Sequence, residues 1–126
     1  MTDGTGALRT TVVATSAAPK AESDWGSTSW CIGAAAGNCR TMTFGRVVIN
    51  RGHSNPRHRH ATCDEILYLL SGELEHFADD IEPVRMRPTD AIVIPAGVSH
   101  FARCVGETDA EMIVVYSSPS RDFELA

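Results

Sequence analysis

The segment from Gly52 to Gly72, GHSNPRHRHATCDEILYLLSG, constrains this chain more than any other part of the sequence. His58 and His60 are two residues apart, and such residues project from the same face of an extended strand. Glu65 begins the apolar run 65–70, which we interpret as the next strand after a short turn. Two imidazoles and one carboxylate are therefore predicted to reach a single metal ion.

A third histidine lies further along the chain, in the segment IVIPAGVSH at residues 92–100. His100 comes just past a Pro-x-Gly turn, which separates it from the preceding apolar strand. Imidazole nitrogens and a carboxylate oxygen together suit a divalent first-row metal. The ligand types are compatible with Fe, Mn, Zn, Ni or Cu and do not distinguish between them. We expect one such ion per chain, and its predicted ligands are His58, His60, Glu65 and His100.

These residues resemble the motifs of the cupin superfamily. The first cupin pattern, G-x5-H-x-H-x4-E-x6-G, is matched at every fixed position, by Gly52, His58, His60, Glu65 and Gly72. The second pattern, G-x5-P-x-G-x2-H-x3-N, is matched by Pro95, Gly97 and His100. Thr89 stands where its first glycine belongs, and Cys104 stands where its asparagine belongs. Both departures lie outside the ligand positions, at a turn and near the rim of the site.

The resemblance implies an all-β fold, the cupin jelly-roll barrel or double-stranded β-helix, in a single domain. The rest of the sequence is compatible with it, because short apolar segments alternate with turn residues and no amphipathic helix is apparent. Strands are predicted at roughly 41–50, 57–62, 65–70, 73–78, 82–87, 91–94, 99–105 and 110–117. Residues 1–23 lack a periodic pattern and are predicted to form a mobile arm or one short edge strand, followed by a cupin domain at 24–126.

Composition narrows the classes of partner. A net charge of −5 and scattered basic residues argue against nucleic acid and against an anionic membrane surface. The chain has no long apolar run and no basic, apolar leader, so we expect a cytoplasmic protein. Its four cysteines are expected to be free thiols in that reducing compartment.

Glu65 and His76 are the candidate catalytic residues. Glu65 is interpreted as a ligand, with a role as general acid or base as the alternative. His76 shares a strand face with the apolar Leu74, so it is predicted to point inward. There it would contact substrate or carry protons, or else be a structural histidine. Arg57 and Arg59 alternate with the ligands and are predicted to point outward.

Three side chains carry weaker predictions. Arg46 is placed at the surface, although an inward position would suit a substrate carboxylate. Cys104 would share a face with His100 if strand alternation holds, but burial as a small apolar residue is favoured. Tyr68 is predicted to lie on the face opposite Leu67 and to pack against the second sheet.

Four protein ligands on an octahedral ion would leave two positions for a substrate that presents two oxygens. This indicates an enzyme that acts by Lewis-acid catalysis on a small dicarbonyl or enolisable metabolite, as an isomerase, cyclase or lyase. A non-haem Fe(II) dioxygenase and a non-catalytic ligand-binding cupin remain open. Small cupins often pair, so a homodimer is expected, with the segment Ala7 to Ala17 adding a strand to a neighbour.

Overall fold

The computed structural model describes residues 8–126, which form two antiparallel β-sheets packed face to face. After a 3-10 helix at Thr15–Ala17 come eleven strands: β1 (Ala21–Glu22), β2 (Gly26–Ile32), β3 (Thr43–Ile49), β4 (His58–Arg59), β5 (Glu65–Ser71), β6 (Leu74–Ala78), β7 (Val84–Met86), β8 (Ala91–Ile94), β9 (His100–Cys104), β10 (Ala110–Tyr116) and β11 (Glu124–Leu125). One sheet has the order β1-β2-β3-β10-β5-β8 and the other β11-β4-β9-β6-β7. The all-β jelly roll is thereby confirmed.

Side chains alternate between the two faces along each strand, and those that point inward form the core between the two sheets. On β5, Leu67 and Leu69 are buried, whereas Tyr68 lies on the exposed outer face. The prediction that Tyr68 packs against the second sheet is therefore wrong, because that sheet covers only the inner face. Leu74 on β6 is fully buried opposite this layer.

All eight predicted strands are present: six are shorter than predicted, β8 has the predicted bounds and β5 is one residue longer. The seven-residue strand β2 was not predicted, because its sequence, GSTSWCI, begins with Gly and has two Ser residues, which favour turns. Its backbone is held by pairing with β3 along most of its length. Among the described residues no helix is long and apolar enough to cross a bilayer.

The amino-terminal segment is described from residue 8 onward. Residues 12–19 line a shallow hollow together with Cys31 of β2. The two residues of β1 then pair with β2 at the edge of the larger sheet. The division of the chain into an arm at 1–23 and a domain at 24–126 stays a prediction.

Candidate metal centre

The four predicted ligands come together between the two sheets. One nitrogen of each imidazole of His58, His60 and His100 and one oxygen of Glu65 all lie within 4.8 Å of one another. His58 on β4 pairs directly with His100 on β9 in one sheet, and Glu65 begins β5 in the other. All four side chains are buried, with His58 the most exposed at 6%.

Each of the three imidazoles is oriented by a backbone carbonyl. In each ring Nδ1 donates a hydrogen bond to a carbonyl oxygen: His58 donates to Pro56 (2.7 Å), His60 to Asp122 (2.6 Å) and His100 to Val98 (2.9 Å). A carbonyl can only accept, so Nδ1 must carry the proton in all three rings. Nε2 is then the atom available to a metal ion, as in metal sites where a hydrogen bond fixes the tautomer.

Glu65 lies at the centre of this arrangement. Its Oε1 is 3.0 Å from Nε2 of His100 and 3.2 Å from Nε2 of His60. Nε2 of His60 is buried and has no hydrogen-bond partner among the described residues. A neutral Nε2 and a carboxylate oxygen both accept, so a cation between them would satisfy both. The residues present therefore fit a divalent metal ion.

Electrostatics keep the carboxylate ionised. Burial alone would raise the pKa of Glu65, but the hydrogen bond from His100 and the adjacent His60 imidazole hold it well below its ordinary value. Burial would likewise lower the pKa of His100, yet the hydrogen bond to Glu65 and its negative charge raise it. Burial lowers the pKa of His58 to about 4, so this ring is neutral at pH 7 and its Nε2 is free to bind an ion.

His76 points inward, as predicted. Its ring is 1% exposed and stacks on His100, with ring centroids 5.8 Å apart. Its Nδ1 is buried without a hydrogen-bond partner among residues 8–126. Burial lowers the pKa of His76 to about 4, so it is a neutral imidazole behind the ligand set.

The Pro-x-Gly turn fixes one edge of the site. Gly97 has a φ of 85°, a left-handed conformation that favours glycine. Its amide donates to the carbonyl of His60 at 2.8 Å, which ties the turn before β9 to the first ligand segment. Thr89, which replaces the first glycine of the same motif, keeps a left-handed backbone with a φ of 77° although it has a β-branched side chain.

A hollow of about 230 Å³ opens beside His58. Its wall includes four aromatic side chains: Trp25 in the turn before β2, Trp30 on β2, Tyr116 on β10 and Phe123 in the carboxyl-terminal segment. Burial raises the pKa of Tyr116 well above its ordinary value, so its phenol remains protonated and can donate a hydrogen bond.

The carboxyl-terminal segment, residues 118–125, completes the site and was not predicted to do so. Besides accepting from His60 through its carbonyl, Asp122 accepts from the amides of Ala61 and Thr62 through its carboxylate. The Phe123 ring stacks on His58 at 4.8 Å. The segment lacks a recognisable motif, but alternation from Ala110 along β10 could have placed Tyr116 on the inner face.

The arginines predicted to lie at the surface, and Cys104, all lie outside the hollow beside His58. Arg57 and Arg59 point outward and pair with Asp79 and Glu124. Arg46 pairs with Glu111 on the outer face of β3 and β10, so its surface placement is confirmed. The thiol of Cys104 is buried and contacts the carbonyl of Thr108, outside the hollow beside His58.

Comparisons with known proteins agree with this geometry. The family described as "Cupin domain" matches residues 45–116. A germin-like protein, subfamily 2 member 2, from Arabidopsis thaliana is 27% identical over 85 residues, which is 64% of this chain and 39% of that protein. Oxalate oxidase GF-3.8 from Triticum aestivum is 30% identical over 90 residues, 66% of this chain and 40% of the relative. The chain thus spans about two fifths of the length of these curated relatives.

Solved structures share the fold. KdgF from Halomonas sp. superposes with a TM-score of 0.76 at 23% identity, covering 90% of this chain and 97% of that one. The polyketide cyclase RemF from Streptomyces resistomycificus gives a TM-score of 0.78 at 17% identity, covering 94% and 86%. At these identities the likeness establishes the fold alone.

Proposed function

This chain belongs to the cupin family, and on that basis we propose that it is an enzyme that uses one divalent metal ion to act on a small, oxygen-rich metabolite. The observation that carries the proposal is the buried set of His58, His60, Glu65 and His100, in which three Nε2 atoms are directed by carbonyl hydrogen bonds. Building and burying such a set costs stability unless an ion or ligand compensates it.

A divalent ion held by these residues supplies Lewis acidity, which suits isomerase, cyclase or lyase reactions of dicarbonyl or enolisable compounds. The chain's own groups serve the same chemistry. Glu65 is ionised and can accept a proton, and the Tyr116 phenol can donate a hydrogen bond into the hollow. The aromatic walls exclude water from one side of a bound substrate.

His76, whose ring stacks on that of His100, is proposed to assist this chemistry. Its unpartnered Nδ1 can accept a proton, and because burial lowers its pKa to about 4, the ring would hold that proton only transiently at pH 7. It does not line the hollow beside His58, so direct contact with substrate is less well supported than proton transfer through a neighbour.

A redox reaction is the second candidate. It is favoured by the similarity to an oxalate oxidase from Triticum aestivum, although this chain spans only 40% of that relative. With Fe(II), the same ligand set would serve a non-haem dioxygenase.

One experiment separates these reactions. The ion in the purified protein is identified by elemental analysis, and the protein is then supplied with dicarbonyl and catechol-like compounds while oxygen and products are measured. Conversion without oxygen consumption supports the Lewis-acid reaction, and consumption matched to product supports the dioxygenase. A protein that binds these compounds without converting any would be a ligand-binding cupin instead.

We propose a homodimer that pairs through the outer face of β5 and β8. Ile66 and Val93 are paired there and are 49% and 66% exposed. Contiguous exposed apolar residues mark interaction surfaces. Exchange of the segment Ala7 to Ala17 stays a prediction, because Ala7 lies outside the described residues. Light scattering should give a dimer that Val93→Glu dissociates, and a monomer across micromolar concentrations would overturn the proposal.

A cytoplasmic location also remains a proposal. Cys31, Cys39, Cys63 and Cys104 are all free thiols in the structure, which fits a reducing compartment.

A further inference from the structure

Arg121 lies in an aromatic cage next to the candidate metal centre. Its guanidinium carbon is 4.1 Å from the centre of a Trp30 ring, 5.2 Å from that of Phe123 and 5.9 Å from that of Tyr116. No carboxylate of residues 8–126 forms an ion pair with it, whereas Arg46, Arg57, Arg59 and Arg85 each pair with a carboxylate. The guanidinium charge is therefore in contact with aromatic rings, and no carboxylate of residues 8–126 pairs with it.

Gly45 on β3 leaves room in the larger sheet for the indole ring of this cage. Trp30 on β2 pairs with Gly45 on β3, and a Cβ added to Gly45 would come within 2.5 Å of the indole ring. Only a residue without a side chain lets the indole lie across the strand. The indole then offers one face to Arg121, and stacking of this kind leaves the N–H edge of a guanidinium free.

Arg121 also lies where two hollows meet. The hollow of about 230 Å³ beside His58 and a neighbouring one of about 330 Å³ both have Trp30, Arg121 and Phe123 in their walls. Neither wall contains an Asp or Glu, although the chain as a whole has a net charge of −5. A molecule that touches His58 can therefore reach a cation without meeting a carboxylate.

We propose that Arg121 binds a carboxylate of the substrate, at the end remote from the oxygens that face the metal ligands. This proposal rests on the proposed function and specifies its substrate class: a dicarboxylate with a carbonyl or hydroxyl next to one of its acid groups. The free edge of the guanidinium matches a planar carboxylate with two parallel hydrogen bonds. Arg121 is thus a specificity-determining residue, distinct from the four candidate ligands.

Two probes of equal chain length test the proposal. Protein loaded with Mn²⁺ is titrated by calorimetry with 2-oxoglutarate and with 2-oxopentanoate, which differ only in that the second carries a methyl group in place of the distal carboxylate. The wild type is expected to bind 2-oxoglutarate about tenfold more tightly or better, in line with a charge-assisted hydrogen-bonded pair. Arg121→Gln should abolish this difference by weakening the binding of 2-oxoglutarate more than that of 2-oxopentanoate.

Two control variants test whether the difference in binding between the two acids depends on the guanidinium of Arg121. Arg103→Gln removes the same charge from an exposed position of β9 and should preserve the difference. Arg121→Lys should retain part of it, because an ammonium keeps the charge but loses the planar fork. Equal binding of both acids by the wild type, or an undiminished difference in Arg121→Gln, would overturn the proposal. If neither acid binds in a metal-dependent manner, the substrate class proposed here is wrong, whereas the proposed function itself fails only if the purified protein holds no metal ion.

Discussion

Oε1 of Glu65 lies 3.0 Å from Nε2 of His100, in a buried pair whose histidine also donates from Nδ1 to the carbonyl of Val98. Both ring nitrogens act as donors when His100 is protonated, and because Glu65 raises its pKa above the ordinary value, His100 carries a positive charge at pH 6.5 and below when no ion is bound. A metal ion that binds Nε2 must displace that proton, so protons and metal compete for the site.

This competition predicts that metal binding releases about one proton below pH 6.5, because the pKa of His100 is raised by Glu65. Affinity for Mn²⁺ should then fall about tenfold for each pH unit of acidification. Calorimetry in buffers of different ionisation enthalpy measures the released protons. An affinity that does not change between pH 5.5 and 6.5 would contradict the pairing.

Glu65→Gln distinguishes the two roles of the carboxylate. If Glu65 is a ligand, metal affinity and turnover should fall together, since a neutral amide oxygen donates less to the ion. If it is the general base, turnover should vanish while metal occupancy stays full, because the amide cannot accept the proton. Metal content and activity are measured on one preparation. Full metal with full activity would rule out both roles.

His76 should make the metal-free protein acid-sensitive. Its pKa is about 4 in the folded protein and about 6.5 in the unfolded chain. Between these values the unfolded chain binds more protons, so the free energy of unfolding falls as pH drops from 6.5 to 4, by up to ~1.4 kcal/mol per unit. His76→Leu should reduce that slope by the same amount. Denaturant unfolding at several pH values in chelator checks this, and an unchanged slope would refute it.

Thr89→Gly should stabilise the protein by about 1 kcal/mol, because Thr89 is exposed and its left-handed backbone is unfavourable for a residue with a Cβ. The amide of Thr89 donates to the carbonyl of Leu69, and glycine keeps this bond. Thr89→Ala is the matched control: it retains Cβ and should gain little. The prediction fails if the two variants unfold at the same denaturant concentration.

The jelly-roll fold was predicted from the resemblance of Gly52, His58, His60 and Glu65 to the first cupin motif, and two-residue periodicity predicted that His58 and His60 share a face. Strand β2 was not predicted because its Gly and Ser residues favour turns, and its extended backbone depends on pairing with β1 and β3. The contribution of Asp122 to the site also could not be predicted. Its contact with His60 spans 62 residues and uses a backbone carbonyl, which no side-chain pattern encodes.

The central claim is that His58, His60, Glu65 and His100 hold one metal ion, and elemental analysis tests it most directly. The wild type, reconstituted and desalted, should contain one equivalent per chain. The variant with both His58→Ala and His60→Ala should contain none while keeping its β-sheet circular dichroism, and His53→Ala, which alters an exposed histidine, should keep the full equivalent. A folded double variant that still retains one equivalent would contradict the account.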